Sequence, residues 1–297
     1  MSMAGAVYDR GYRPYEGPRG GRGAAVFALA KATARRALGI RRSWRQKVAP
    51  FALLAVATIP AIVNVGVSYI TRDEVFNDRI EIITYRDYIG VSSYLLLFLA
   101  IVAPDVICPD LRQKVLPLIF ARPITGRDYV AAKIGSITTL VFAYAVIPQL
   151  VLYIGNMLVS DDTLDYFTGH TDIVWKVPAS ALVVSFYFAV VSLAVSSFTN
   201  RRIVAGAAII GTFLVTSIAA AAIIGDPYLL DDGTFAKLLD LWGLPLLLRD
   251  LIFLGRIHES SALSGASGGG IAAVAVYCAL VLAGVLMLLR RYRWVER

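Results

Sequence analysis

The chain has 297 residues, of which 58% are hydrophobic and only 17% charged, with a mean hydropathy of +0.67. A water-soluble domain carries about 25% charged residues, so this chain lacks the polar surface to face water on all sides. The formal net charge of +8 would suit a nucleic-acid binder, but the bases are sorted along the chain in a way that argues for membrane topology instead and leaves no nucleic-acid role.

Residues 1–47 form an arm rich in Arg, Gly and Tyr. A secretory signal would place a short basic stretch directly before an apolar segment and a small-residue cleavage site. None is visible, and residue 48 onward is expected to be a retained span. Within the arm, residues 24–44 read as an amphipathic helix: Val26, Leu29, Ala30, Thr33, Ala37, Ile40 and Trp44 share one face, and Lys31, Arg35, Arg42 and Arg45 gather opposite, with Phe27 and Leu38 intruding. Such a helix is expected to lie in the membrane interface, apolar side in lipid and basic side toward anionic headgroups or a protein. The alternative is a basic anchor with no partner.

Six apolar blocks follow, at 48–70, 88–108, 134–159, 177–198, 203–225 and 270–289. About 20 apolar residues are needed to cross roughly 30 Å of hydrocarbon as a helix, the form that satisfies every backbone group internally. Pro60, Pro104 and Pro148 fall within or near the ends of spans, and Gly206 and Gly211 in the fifth would let a neighbouring helix approach closely. With the N-terminus placed inside, 22 of 29 Lys and Arg residues fall on the inner side and 15 of 21 Asp and Glu residues on the outer. Basic residues next to spans resist translocation, so the expected orientation has both ends in the cytoplasm and residues 290–297 as a basic tail. Residues 234–257 form two short apolar pieces broken at Gly243-Leu244-Pro245, each too short to span. They are expected to be a re-entrant pair on the outer side; a single amphipathic helix on the outer leaflet is the alternative.

No catalytic constellation is present. His170 and His258 are isolated, Cys108 and Cys278 have no metal-site spacing, and Asp105 alone stands as an ionisable residue placed awkwardly in a span. A proton-coupled carrier needs intramembrane relays, which are nearly absent. No G-x-x-x-x-G-K-[ST] loop occurs either, so nucleotide would have to be bound by a separate chain.

The loop 109–133 looks built for docking. Asp110 with Gln113 three residues on has the spacing of a helix N-cap, and Leu111, Val115 and Leu118 follow as one stripe flanked by Arg112 and Lys114. A helix so short needs bracing by a neighbour; a plain cytoplasmic turn is the alternative. The stretch from Asp110 through Arg122, Pro123, Arg127, Tyr129 and Lys133 resembles the loop between spans two and three of ABC-2-type permeases, with Val115 standing where a small residue belongs. The segment Gly11-Tyr-Arg-Pro-Tyr-Glu-Gly-Pro-Arg19 is similar to the N-terminal arm of some bacterial members.

The resemblance implies an all-α, six-span exporter permease in a bacterial plasma membrane, working with a second permease copy, separate ATPase subunits and membrane lipids. ATP and Mg would belong to the ATPase, with no cofactor on this chain, which is then not itself an enzyme. It makes residues 109–120 the coupling helix, with Asp110, Leu111, Arg112, Val115, Leu118, Arg122 and Pro123 as the coupling set. It places spans two and five along the pathway, nominating Ser92, Ser93, Tyr94, Phe98, Thr212, Phe213 and Thr216, although apolar aromatic stripes also arise from packing alone. The rival reading is a non-transporting membrane scaffold or assembly subunit.

Overall fold

The computed structural model describes residues 20–40, 44–70, 84–88, 93–121, 124–160, 162–225, 233–259 and 261–293. Arg42, Ser92, Arg122 and Pro123 from the expected sites lie outside these, as do the side chains of Arg45 and Ser93.

Among the described residues the chain is helical throughout. Its α-helices are α1 (Arg22–Ala37), α2 (Trp44–Ile70), α3 (Tyr85–Tyr88), α4 (Ser93–Arg112), α5 (Leu116–Phe120), α6 (Gly126–Val159), α7 (Thr163–Gly169), α8 (Thr171–Ser196), α9 (Arg202–Ile224), α10 (Leu244–Leu254) and α11 (Gly269–Arg293). Six of them, α2, α4, α6, α8, α9 and α11, are long and apolar enough to cross a membrane. They coincide with the six apolar blocks, each boundary shifted by a few residues except at the start of α6, which begins eight residues early because a Thr125–Asp128 capping box founds it there.

The bundle has a centre and a rim. Two thirds (67%) of the apolar stretches of α4 and α8 is buried, against 17% for α9 and α11. α8 packs on α4, α6, α9, α10 and α11, and α6 packs on α1, α2 and α8. Gly206 explains the tight α4–α9 seam: a Cβ there would lie 2.7 Å from the Ala100 carbonyl oxygen, whereas Gly211 has open space around it and mediates no such approach.

One end of the bundle gathers α1, the last turn of α4, the first of α6 and the last of α11. Tyr129 and Tyr292 lie 5.0 Å apart there, and the Cys108 thiol reaches the Thr199 carbonyl at 3.4 Å. The opposite end is closed by the segment after α9. Residues Gly233–Leu239 form a 3-10 turn, and α10 follows with Pro245 in its first turn. Two short pieces are therefore present, broken at residues 240–243. Trp242 in the break packs on Phe188 and Phe213 at 4.8 and 5.7 Å. Phe213 lies about 16 Å along α9 from Arg202, so the turn reaches well into the bundle.

Candidate functional site

At the first of these ends, α4 does not stop where the sequence suggested. Asp110 is not an N-cap: α4 continues to Arg112, and Asp110 sits in its last turn, 1% exposed. The helix stops at Lys114, whose φ of 51° is left-handed, with the Val115 amide donating to the Asp110 carbonyl. The five-residue α5 follows, and Thr125 restarts the chain as α6. The expected coupling helix is thus two pieces joined by an elbow. A proline in the last turn of α4, Pro109, did not end it.

Three helices meet on the Asp110 carboxylate. Lys133 of α6 donates to Oδ2 at 2.6 Å, Arg36 of α1 donates to Oδ1 at 2.6 Å, and the Tyr129 hydroxyl donates to Oδ2 at 3.0 Å. Lys133 also donates to the Val106 carbonyl at 2.8 Å and the Thr33 hydroxyl at 3.3 Å, using all three of its protons. Val106 is four residues before Asp110, so this ammonium both neutralises the carboxylate and adds a hydrogen bond to a backbone carbonyl in the preceding turn of α4. A buried charge survives only when paired and hydrogen-bonded in this way. Asp110, Tyr129 and Lys133, which carry the family resemblance, are thereby brought into one buried cluster.

The cluster also corrects the expectation for the arm. α1 ends at Ala37 rather than reaching Trp44, and the part of the expected apolar face that it carries is covered by protein, while Ile40 and Trp44 beyond it are exposed. Thr33 and Ala37 are buried, Leu29 and Ala34 pack on the core, and the Ala30 carbonyl accepts from Ser136 at 2.9 Å. A wheel marks a face as apolar without saying whether lipid or protein covers it; here α4 and α6 do. Lys31 and Arg35 point outward, and Phe27, 68% exposed, lies under the Lys31 ammonium. Arg22 ties the start of α1 to Asp128 at 2.8 Å on the surface, a hydrogen bond that raises the guanidinium above its ordinary pKa.

The remaining expected residues separate. Leu111 and Val115 are partly buried, with Leu111 packed on the core, Arg112 is exposed, and Leu118 is 72% exposed on α5. Of the pathway set, Phe98 stacks on Tyr144 of α6 at 4.5 Å, and Phe213 packs edge-on to Phe188 of α8 at 5.4 Å. The Thr212 and Thr216 hydroxyls bond carbonyls of their own helix, and Tyr94 is exposed. Phe98 and Phe213 thus fill the core on different neighbours.

Sequence reasoning missed Arg36 and the pairing of Asp105 with Arg202 across α4 and α9. The signal for the first was available: Arg36 follows Thr33 by three residues and so shares its helix face. Comparison with family models and with curated proteins gives no match.

Proposed function

We propose that this chain is the membrane-spanning subunit of an ATP-driven exporter of the ABC-2 type, in a bacterial plasma membrane, with both ends in the cytoplasm. A second permease copy would complete the pathway, and ATP and Mg would be held by separate ATPase subunits. The observation that carries the reading is the convergence of Asp110, Tyr129 and Lys133 on one buried cluster directly behind the α5 elbow. The cluster gives the elbow a rigid base, and Leu118 projects from it into solvent. Burying a Leu is worth roughly 1.5–3 kcal/mol, so an apolar side chain so displayed suits a cleft in a partner protein. Closure of the ATPase pair would then push on the elbow and, through α4 and α6, on the span packing. The segment 234–257, with Trp242 deep among α8 and α9, would act as the re-entrant plug at the outer end.

The test is purification of the tagged chain from its native membranes with ATP hydrolysis in the eluate as readout. Wild type is expected to carry an ATPase, and Leu118→Asp, inserted at normal level, to lose it. Undiminished hydrolysis with Leu118→Asp would remove the elbow from the mechanism. Orientation is tested separately: in a background lacking Cys108 and Cys278, cysteines at Ser160 and Ser261 should react with an impermeant thiol reagent on intact cells, and one at Ser43 should not.

A further inference from the structure

The same end of the bundle carries a second feature, on the far side of α4 from α1. Between the end of α4 and the start of α9 lies a cavity of about 300 Å³ lined by Cys108, Pro109, Arg112, Gln113, Asn200 and Arg202. It shares Arg112, Asn200 and Arg202 with a wider opening of about 760 Å³ that adds Arg201, Ile203 and Val204. The two form one groove with a cationic floor and an apolar lip.

Among the described residues the charge of the groove is only partly neutralised. Arg202 pairs with Asp105, but neither Arg112 nor Arg201 has an acidic partner among the described residues. The other acid of this part of α4, Asp110, is committed to Arg36 and Lys133 on the opposite side of the helix. Two arginines therefore share the groove with two neutral hydrogen-bonding side chains, Gln113 and Asn200, and the first turn of α9 has no side-chain cap. Forked guanidinium donors suit the oxygens of a phosphate. The lip says where that phosphate comes from. Ile203 is 88% exposed and Val204 49% exposed, at the first turn of a helix long and apolar enough to cross a membrane, where the headgroups and upper acyl chains would lie. A free phosphate has no use for that lip, whereas an acyl chain covers it.

We infer that this groove is a binding site for an anionic phospholipid, its phosphate held by Arg112 and Arg201 and its acyl chain lying on Ile203 and Val204. The site borders the α5 elbow, sharing Arg112 and Gln113 with the turn that leads into it, but its argument does not depend on the exporter reading. A bound lipid would bridge α4 and α9, the pair already drawn together at Gly206.

The test is native mass spectrometry of the purified full chain in detergent, with phosphatidylglycerol and phosphatidylcholine of identical acyl chains offered at equal concentration. Wild type is expected to retain phosphatidylglycerol preferentially. The Arg112→Gln/Arg201→Gln variant is expected to lose that preference by about tenfold or more, from the loss of two basic contacts near a membrane surface. Arg290→Gln/Arg291→Gln, removing the same charge from the end of α11, should leave the preference intact. Both variants change exposed side chains, and matching melting temperatures would verify their folding. Three outcomes would overturn the proposal: equal retention of the two lipids by wild type; equal loss in both variants, meaning general charge; or displacement of the lipid by millimolar inorganic phosphate, meaning an anion site with no role for the chain. An Arg112→Gln/Arg201→Gln variant with unchanged preference that instead loses a co-purifying ATPase would reassign the groove to an acidic protein surface.

Discussion

The two ends of the bundle are each organised around a buried aspartate, and they are built on different plans. Asp110 draws its partners from two other helices, with Arg36 of α1 lying 74 and Lys133 of α6 23 residues away in the chain, and it is sealed under α1. Asp240 is also buried, but among the described residues it is served largely by its own turn: Lys237 donates at 2.8 Å, the Trp242 amide at 3.1 Å, and the Ser217 hydroxyl comes from a distance. A Cβ at Gly243 would meet the Asp240 carboxylate at 2.4 Å, so that turn is folded tightly on itself. The first arrangement holds helices together; the second shapes one reversal of the chain. Loss of the first should therefore be felt through the whole bundle and loss of the second locally.

The largest effect is expected from Asp110→Ala. It leaves Lys133 charged and buried without a counter-ion, a situation that costs about 3–5 kcal/mol. Thermal unfolding in detergent should show a large fall in melting temperature, and protease should release α1. Asp110→Asn/Lys133→Met, which removes both buried charges, should recover more than half of the loss, since Arg36 is partly exposed and can turn to water. An Asp110→Ala protein as stable as wild type would mean that the cluster is not what fastens α1.

Asp240→Asn should cost less, about 1–2 kcal/mol, because the amide keeps some of the hydrogen bonds. Here pH gives a sharper measurement. Burial pushes the Asp240 carboxyl upward, but hydrogen bonds from Lys237, Ser217 and the Gly243 amide outweigh it and hold the group below the usual carboxylate range. A group depressed on folding contributes fully above its unfolded pKa, near 3.9, and loses that contribution as acid brings it through the folded value. The gap in melting temperature between wild type and Asp240→Asn should thus be widest at pH 7 and narrow below about pH 4. A gap that does not change with pH would assign the aspartate a packing role only.

The smallest effect is expected from Arg22→Ala. This residue also ties α1 to α6, yet its pair with Asp128 is exposed, and exposed pairs contribute little. The melting temperature should stay within error of wild type. A fall comparable to that of Asp110→Ala would invert the ranking by burial on which the comparison rests.

The sequence made some of this plain and concealed the rest for physical reasons. The six spans were legible because hydrocarbon imposes one length and one composition on every crossing helix. The two-piece segment was legible because neither apolar run is long enough to cross, although its break falls at 240–243 and α10 begins at Leu244. Gly206 was readable as a close approach, but Gly211, five residues further along the same helix, has open space beside it; periodicity identifies small residues without their neighbours. Asp110 was misread because Asp followed by Gln at the third position has the same pattern whether it starts a helix or ends one. The face of α1 was misassigned because lipid and protein select the same side chains. The Asp110–Lys133–Tyr129 cluster was half visible: its members stood in one motif, but only the fold shows that they share hydrogen bonds and that Arg36 joins them.

The length of α6 has one more consequence. Its 34 residues extend about 51 Å at 1.5 Å each, beyond the roughly 40–45 Å of a whole bilayer with its headgroups. A single helix therefore carries Lys133 near one of its ends and Asn156, bonded to the Tyr85 hydroxyl at 3.1 Å, near the other. Pro148 removes one backbone rung along the way, because it has no amide hydrogen to offer the Tyr144 carbonyl. If the proposed function holds, α6 would act as a rod with one soft joint: a tilt at the Asp110 end would be transmitted along the stretch before Pro148, and the joint would set how much of it arrives at Tyr85.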